Sequence, residues 1–234
     1  MTRVLNGIKF DMIAHFRNGI FIVYALISLI YIVVIRMASN GIKDDLSILI
    51  LFSDPSFIGF FFIGAIILSE KLHKTMENLF ITPLRVSEYI VSKTISLSFI
   101  TVISSFAIVF FSYGLNFNPL LLFLGVLLSS FMFTLVGIAL AVWVKSLNMY
   151  LWVSPLYVII AFIPLLKFFG LYETPLFYII PGEASLILIE AAFKDIELWK
   201  LLYAFSAQIL MIIIVFQWAR KAFYKHIILG IGGR

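Results

Sequence analysis

Three histidines (His15, His73 and His226), twelve carboxylates and no cysteine are the groups with which this chain could do chemistry. The histidines lie far apart, no HExxH pair puts two of them on one helix face, and no Ser–His–Asp set can be assembled. Without cysteine there is no disulfide, iron–sulfur cluster or thiolate zinc site. Asp44 and Asp45 are neighbours, but two adjacent acids usually form a solvated turn. The tail Gly230-Ile-Gly-Gly-Arg234 lacks the GxxxxGKS or GxxxxGKT pattern of a phosphate loop. We therefore expect no catalytic residue, no metal site, no cofactor and no nucleotide site in this chain.

The elements available to position side chains are membrane helices. Of 234 residues 63% are hydrophobic and 12% charged, and the mean hydropathy is +1.12. Soluble domains are nearer half apolar and a quarter charged. No polar stretch is long enough to bury a core of its own, so residues 1–234 read as a single transmembrane domain. The pI near 9.4 comes from Lys and Arg in short loops, which topology explains without nucleic acid.

Six spans follow from apolar runs measured against a hydrocarbon core of about 30 Å, which needs about 20 helical residues. They cover 19–35, 55–69, 94–115, 120–144, 150–166 and 201–219. The second is short and recruits 46–52 if Asp54-Pro55 is a break or a re-entrant bend. With the N-terminus, the 70–93 linker, the Lys145 turn and the C-terminus on one side, that side holds 12 of the 17 basic residues. The positive-inside rule then puts both termini in the cytoplasm. As drawn, none of these spans contains an ionisable side chain, which weighs against ion-coupled carriers and intramembrane hydrolases.

Residues 1–18 read as a helix in the membrane interface, with Leu5, Ile8, Met12 and Phe16 facing down and Lys9, Asp11 and Arg17 elsewhere. Trp143, Trp152, Trp199 and Trp218 fall near span ends as interfacial anchors. The outer segment 167–200 is broken by Pro175 and Pro181, and its helical part is too short to cross a bilayer, so it reads as a surface or re-entrant element. Within the spans the polar groups are hydroxyls and amides. Ser98, Thr101 and Ser105 line one side of the third span, and Ser130, Thr134 and Gly137 form a small-residue stripe in the fourth. Close helix packing is the plain reading of both, and a substrate path the sharper one.

The segment 70–83 is the most specific part of the chain: a charged, helix-compatible island between two apolar runs. Leu72, Met76, Leu79 and Phe80 fall on one side at helical spacing, and Thr82-Pro83 ends the element, because the residue before proline is pushed out of the α region. From Glu70-Lys71 through Thr75, Glu77, Leu79, Thr82-Pro83 and Leu84 the sequence resembles type-2 ATP-binding-cassette export permeases, with Lys74 where family members usually have Gly. The layout of interface helix, six spans, outer segment and basic tail resembles the small drug- and peptide-exporting members, including those annotated for fluoroquinolones.

The resemblance implies an all-α, polytopic membrane protein of a prokaryotic plasma membrane. Its cytoplasmic coupling helix, 70–84, would lie between spans 2 and 3, and its outer helical segment between spans 5 and 6. Glu70, Lys71, Thr75, Glu77, Leu79, Thr82 and Pro83 would serve coupling to a separate cytoplasmic ATPase subunit, which holds ATP and Mg. Pro181, Gly182 and Glu183 would begin an outer cap. A second permease, identical or related, would complete the transporter among membrane lipids. It would export an amphipathic small molecule or peptide. The rivals are a haem-exporter-B-like permease of cytochrome maturation and a non-pumping membrane protein of immunity or partner-binding type.

Overall fold

The computed structural model describes residues 2–39, 41–73, 75, 76, 79 and 84–229, and every described element is helical. The order is α1 (Thr2–Arg17), α2 (Ile20–Met37), α3 (Lys43–Ser53), a π-helical segment (Asp54–Gly59) and α4 (Phe60–Leu72). There follow α5 (Val86–Tyr113), α6 (Pro119–Trp143), α7 (Leu147–Phe162), a single turn α8 (Leu165–Phe168), a 3-10 turn (Pro175–Ile179), α9 (Pro181–Glu190) and α10 (Leu198–Phe223), which runs on into a second π-helical segment (Tyr224–Ile228).

Local sequence sets these boundaries. Gly19, with φ 74°, makes the elbow between α1 and α2, a backbone shape that glycine adopts without steric cost. The Arg85 amide donates to the Glu88 carboxylate at 2.9 Å and opens α5, and Gly114 at φ 67° closes it. Asn118 accepts from the Leu120 and Leu121 amides, and Pro119 supplies the first residue of α6, where its missing N–H costs nothing. Ser146 caps α7 in the same way.

Four elements are long and apolar enough to cross a membrane among the described residues: Ile20–Met37, Val86–Tyr113, Pro119–Trp143 and Leu198–Ile228. The two other expected spans take different forms. α3, the π segment and α4 are continuous from 43 to 72, so Asp54-Pro55 is not a break but a passage of wider helix within one element of about 40 Å along its path. α7 stops at Phe162, ahead of Pro164, and at 16 residues it spans only about 24 Å.

α6 sits at the centre, packed by α4, α5, α9 and α10. Glycines allow the closest approaches: a Cβ on Gly137 would lie 2.4 Å from Ile63, and one on Gly125 would lie 2.9 Å from the Leu188 carbonyl. α9, the helical part of the outer segment, is packed into the bundle. Residues 182–189 are all buried and pack on α3, α6, α7 and α10. α1 lies along α5, with Gly7 against Ser92.

Candidate coupling site

The densest cluster of buried charge joins three elements that are remote in sequence: α1, the end of α4 and the start of α5. Lys93, only 3% exposed, donates to Asp11 at 2.6 Å and to Glu70 at 2.5 Å. The Tyr89 hydroxyl donates to the second Glu70 oxygen, and the Ser92 hydroxyl donates to the second Asp11 oxygen at 3.1 Å. Each carboxylate therefore has both oxygens engaged and shares one ammonium with the other, the arrangement that allows charge to be buried.

His15, one turn beyond Asp11, is buried at the edge of this node. Burial, seconded by the Lys93 charge and opposed by Glu70, lowers its pKa from 6.5 to about 4. It is neutral at physiological pH. Beside Glu70, Lys71 turns the other way. Its ammonium donates to the carbonyls of Val144 at 2.7 Å, Val142 at 3.1 Å and Ala141 at 3.4 Å. A cation at these last carbonyls offsets the negative end of the α6 dipole, while burial draws the Lys71 pKa down.

Glu70 and Lys71 thus belong to the last turn of α4 and do not open a separate helix. The α4 helix ends at Leu72 with a turn at His73, so the helical phase restarts. Leu72 is 80% exposed whereas Met76 is 2% exposed, which corrects the expectation that they share one face. Met76 and, less deeply, Leu79 pack into the core cluster that contains Ile67, Tyr89, Ile90, Phe223 and Ile227. Thr75 is half-buried and helical. Glu77, Thr82 and Pro83 lie outside the described residues.

The hydroxyl stripes face the bundle interior. Ser130 donates to Ser98 at 2.9 Å and Thr101 meets the Tyr24 hydroxyl at 3.4 Å, while Ser105, Thr134 and Gly137 are buried between helices. Close helix packing is what such contacts provide. At the other end of the bundle Pro181 begins α9, Gly182 lies against the Ala161 carbonyl, and buried Glu183 accepts from Lys167 at 2.5 Å. Burial lowers the Lys167 pKa, but the bond to Glu183 and its charge outweigh that and hold it above the ordinary value.

Sequence reasoning missed Asp11, His15, Tyr89 and Lys93, the first two of which lie on α1. Its inward face is Gly7, Asp11 and His15, and Leu5 and Phe16 are exposed. The available signal was the i, i+4, i+8 run of glycine, acid and imidazole at 7, 11 and 15. Asp54 lies one residue before the second span as drawn. Continuity of α3 with α4 puts Asp54, 0% exposed, inside the helical bundle.

The family model of the fluoroquinolones export permease proteins matches residues 2–230. The chain belongs to this family. Two proteins named fluoroquinolones export permease, from Mycobacterium tuberculosis strains CDC 1551 / Oshkosh and H37Rv, are each 27% identical to it over 208 residues, which is 87% of this chain and 87% of theirs. Membership of this export-permease family agrees with the type-2 ATP-binding-cassette resemblance of the 70–84 segment, and it makes the chain a multi-pass membrane protein and a transporter subunit, not an enzyme.

Proposed function

We propose that this chain is the permease subunit of an ATP-driven exporter that moves an amphipathic, drug-like molecule out of the cell. Family membership supports the drug-export part. The observation that carries the mechanism is the node of Asp11, Glu70 and Lys93, which fastens both arms of the 70–84 segment to α1. A separate ATPase, holding ATP and Mg, docks on that segment through Thr75, Glu77, Leu79 and Thr82-Pro83. When ATP draws two such segments together, Glu70 and Lys93 move α1, and Lys71 moves the end of α6. Rigid helices joined by short ionic links pass a displacement on without local unfolding.

In this reading the continuous 43–72 element and α7 complete six spans, and both termini face the cytoplasm. A second, identical permease covers part of the exposed apolar surface of α2 and α10, whose spanning stretches are only 22% and 11% buried. The 167–200 segment, from Pro181 through Glu183, caps the outer end of the path.

Affinity purification from the native membrane in gentle detergent, followed by mass spectrometry, tests the reading. The expected result is a near-stoichiometric ATPase with Walker motifs, and drug accumulation in cells when its catalytic glutamate is replaced. Recovery of the chain alone, even after crosslinking through residues 70–83, overturns it in favour of a non-pumping membrane protein.

A further inference from the structure

Two cations sit on consecutive carbonyls at the end of α5. Arg36 is the penultimate residue of α2, and its Nε donates to the Phe111 carbonyl at 2.8 Å. Lys43, which opens α3, donates to the Ser112 carbonyl at 3.0 Å and lies 4.7 Å from the centre of the Tyr113 ring. There they offset the negative end of the α5 dipole. That role uses one of the five guanidinium N–H groups and one of the three on the ammonium. Neither side chain makes an ion pair among the described residues. The acids next to Lys43 are engaged elsewhere: Asp44 accepts from Tyr113 at 2.9 Å and Asp45 from Lys194 at 2.8 Å.

From Arg36 a groove of about 470 Å³ runs between α2 and α5 as far as Phe21. Leu29, Ile103 and Phe111, each at least half exposed, leave it open toward the surrounding membrane. The hydroxyls that line it are already bonded, Tyr24 to Thr101 at 3.4 Å and Ser28 to Ser104 at 2.6 Å. Apart from these and Arg36 the lining is apolar. Along α2 the stretch from Phe21 to Arg36 is about 22 Å, more than half of a hydrocarbon core of about 30 Å. Arg36 and the end of α5 lie together where two spans leave the bilayer, which is the depth of lipid phosphates. A long apolar slot with a cationic head at that depth fits a hydrocarbon chain that ends in an anion.

We propose that the α2–α5 groove holds one acyl chain of an anionic phospholipid, with its phosphate on Arg36 and Lys43. Arg36 takes two phosphate oxygens with the N–H groups that its bond to Phe111 leaves over, and Lys43 adds a second positive charge from the neighbouring carbonyl. The acyl chain lies along Leu29, Ile32 and Ile103. A zwitterionic headgroup carries an ammonium that two unpaired cations repel, so the site selects the anionic lipid. That lipid is a bound component of the permease and not its cargo, and the site needs neither an ATPase nor a second copy of the chain.

The purified full-length chain is placed in phosphatidylcholine nanodiscs with a small fraction of phosphatidylglycerol that carries a photoreactive diazirine in one acyl chain. After irradiation the labelled residues are found by peptide mass spectrometry, with a phosphatidylcholine probe of the same acyl chains as reference. Phosphatidylglycerol labels Leu29, Ile32 and Ile103 about tenfold more than the reference does, the scale for one or two basic groups beside an anionic headgroup. Arg36→Gln with Lys43→Gln brings the two probes level in the groove and leaves labelling elsewhere on the chain unchanged. Equal labelling by both probes in wild type means ordinary boundary lipid and overturns the inference, as does a preference that survives the double variant. If that variant fails to fold, competition in wild type decides: unlabelled phosphatidylglycerol removes the groove label and unlabelled phosphatidylcholine does not, and equal competition by the two overturns the inference. The chain has no cysteine, so Leu29→Cys reports a rival occupant. Disulfide coupling of Leu29→Cys to a second copy, with the lipid probe excluded, would make the groove an interface between permeases and overturn the inference as well.

Discussion

The Lys71 ammonium lies 2.7 Å from the carbonyl oxygen of Val144, at the end of a different helix 73 residues further along the chain. Its neighbour Glu70 holds Lys93 on the opposite side. Two adjacent residues at the end of α4 therefore grip α6 with one hand and α5 and α1 with the other. Replacing Lys71 by Met keeps the length of the side chain and removes the charge from three carbonyl oxygens. We expect a loss of about 1–2 kcal/mol, the range for charge-assisted bonds at a helix C-terminus. The measurement is the thermal unfolding midpoint in detergent, with Lys71→Arg as a control that retains most of the stability.

Lys93 carries more. Lys93→Met leaves Asp11 and Glu70 buried and facing each other without a cation, and about 3–5 kcal/mol of stability should be lost. The triple variant Asp11→Asn, Glu70→Gln, Lys93→Met removes all the charges together and should regain most of that stability, because neutral groups have no uncompensated desolvation. Function separates the structural role from the coupling role. If the node transmits force, the triple variant still inserts and still binds the ATPase but exports drug poorly for each ATP hydrolysed. Export at the wild-type ratio would make the node a structural device only.

How much of this was legible in the sequence follows from what kind of interaction each feature needs. α2, α5, α6 and α10 are written as long apolar runs, because lipid requires a span to be predominantly apolar and its backbone groups to be bonded within the helix. The placing of Ser98, Ser130 and Gly137 on one side of their helices was legible from helical spacing alone, and all three face neighbouring helices. The inward turn of Asp11 and His15 was not. On one helix an acid and a histidine beside Lys9 and Arg17 read as a solvated face, and only the arrival of Lys93 from 82 residues away makes that face the buried one. Continuity through Asp54-Pro55 was hidden likewise, because proline inside an apolar run ordinarily marks a helix break, whereas a π-helical segment passes through it here.

His15 makes the node sensitive to acid. Its pKa is about 4 in the folded chain against 6.5 when free. As pH falls below 6.5 the unfolded chain takes up the proton first, so stability is complete above that value, declines between 6.5 and about 4, and levels off below. The full shift corresponds to roughly 3 kcal/mol. A variant isolates the contribution of the histidine from that of the rest of the chain. His15→Gln should flatten the upper part of the profile, between about pH 6.5 and about pH 5, and leave the midpoint near neutrality almost unchanged. Unfolding midpoints of both proteins across that range settle the matter, and parallel profiles would remove His15 from the account.

Two glycines distinguish a contact that can yield from one that cannot. A Cβ on Gly64 would fall 2.1 Å from the Tyr150 ring, and one on Gly182 would fall 1.8 Å from the carbonyl oxygen of Ala161. Tyr150 can swing aside if its hydroxyl gives up the Phe60 carbonyl, now at 2.8 Å. Gly64→Ala should therefore cost about 1–3 kcal/mol, the usual range for an overpacked core, and truncation of Tyr150 to Ala in the same chain should add less than it costs alone. Ala161 offers no such exit, because the obstructing atom belongs to the α7 backbone. For Gly182→Ala, α9 must lift away from α7, and with it goes Glu183, whose carboxylate holds Lys167. Hydrogen exchange separates the two outcomes. Gly182→Ala should raise exchange throughout Pro181–Glu190, whereas Gly64→Ala should leave that helix protected and loosen only the packing of α4 on α7. Protection of α9 in both variants would mean that the outer segment docks with more freedom than its burial suggests.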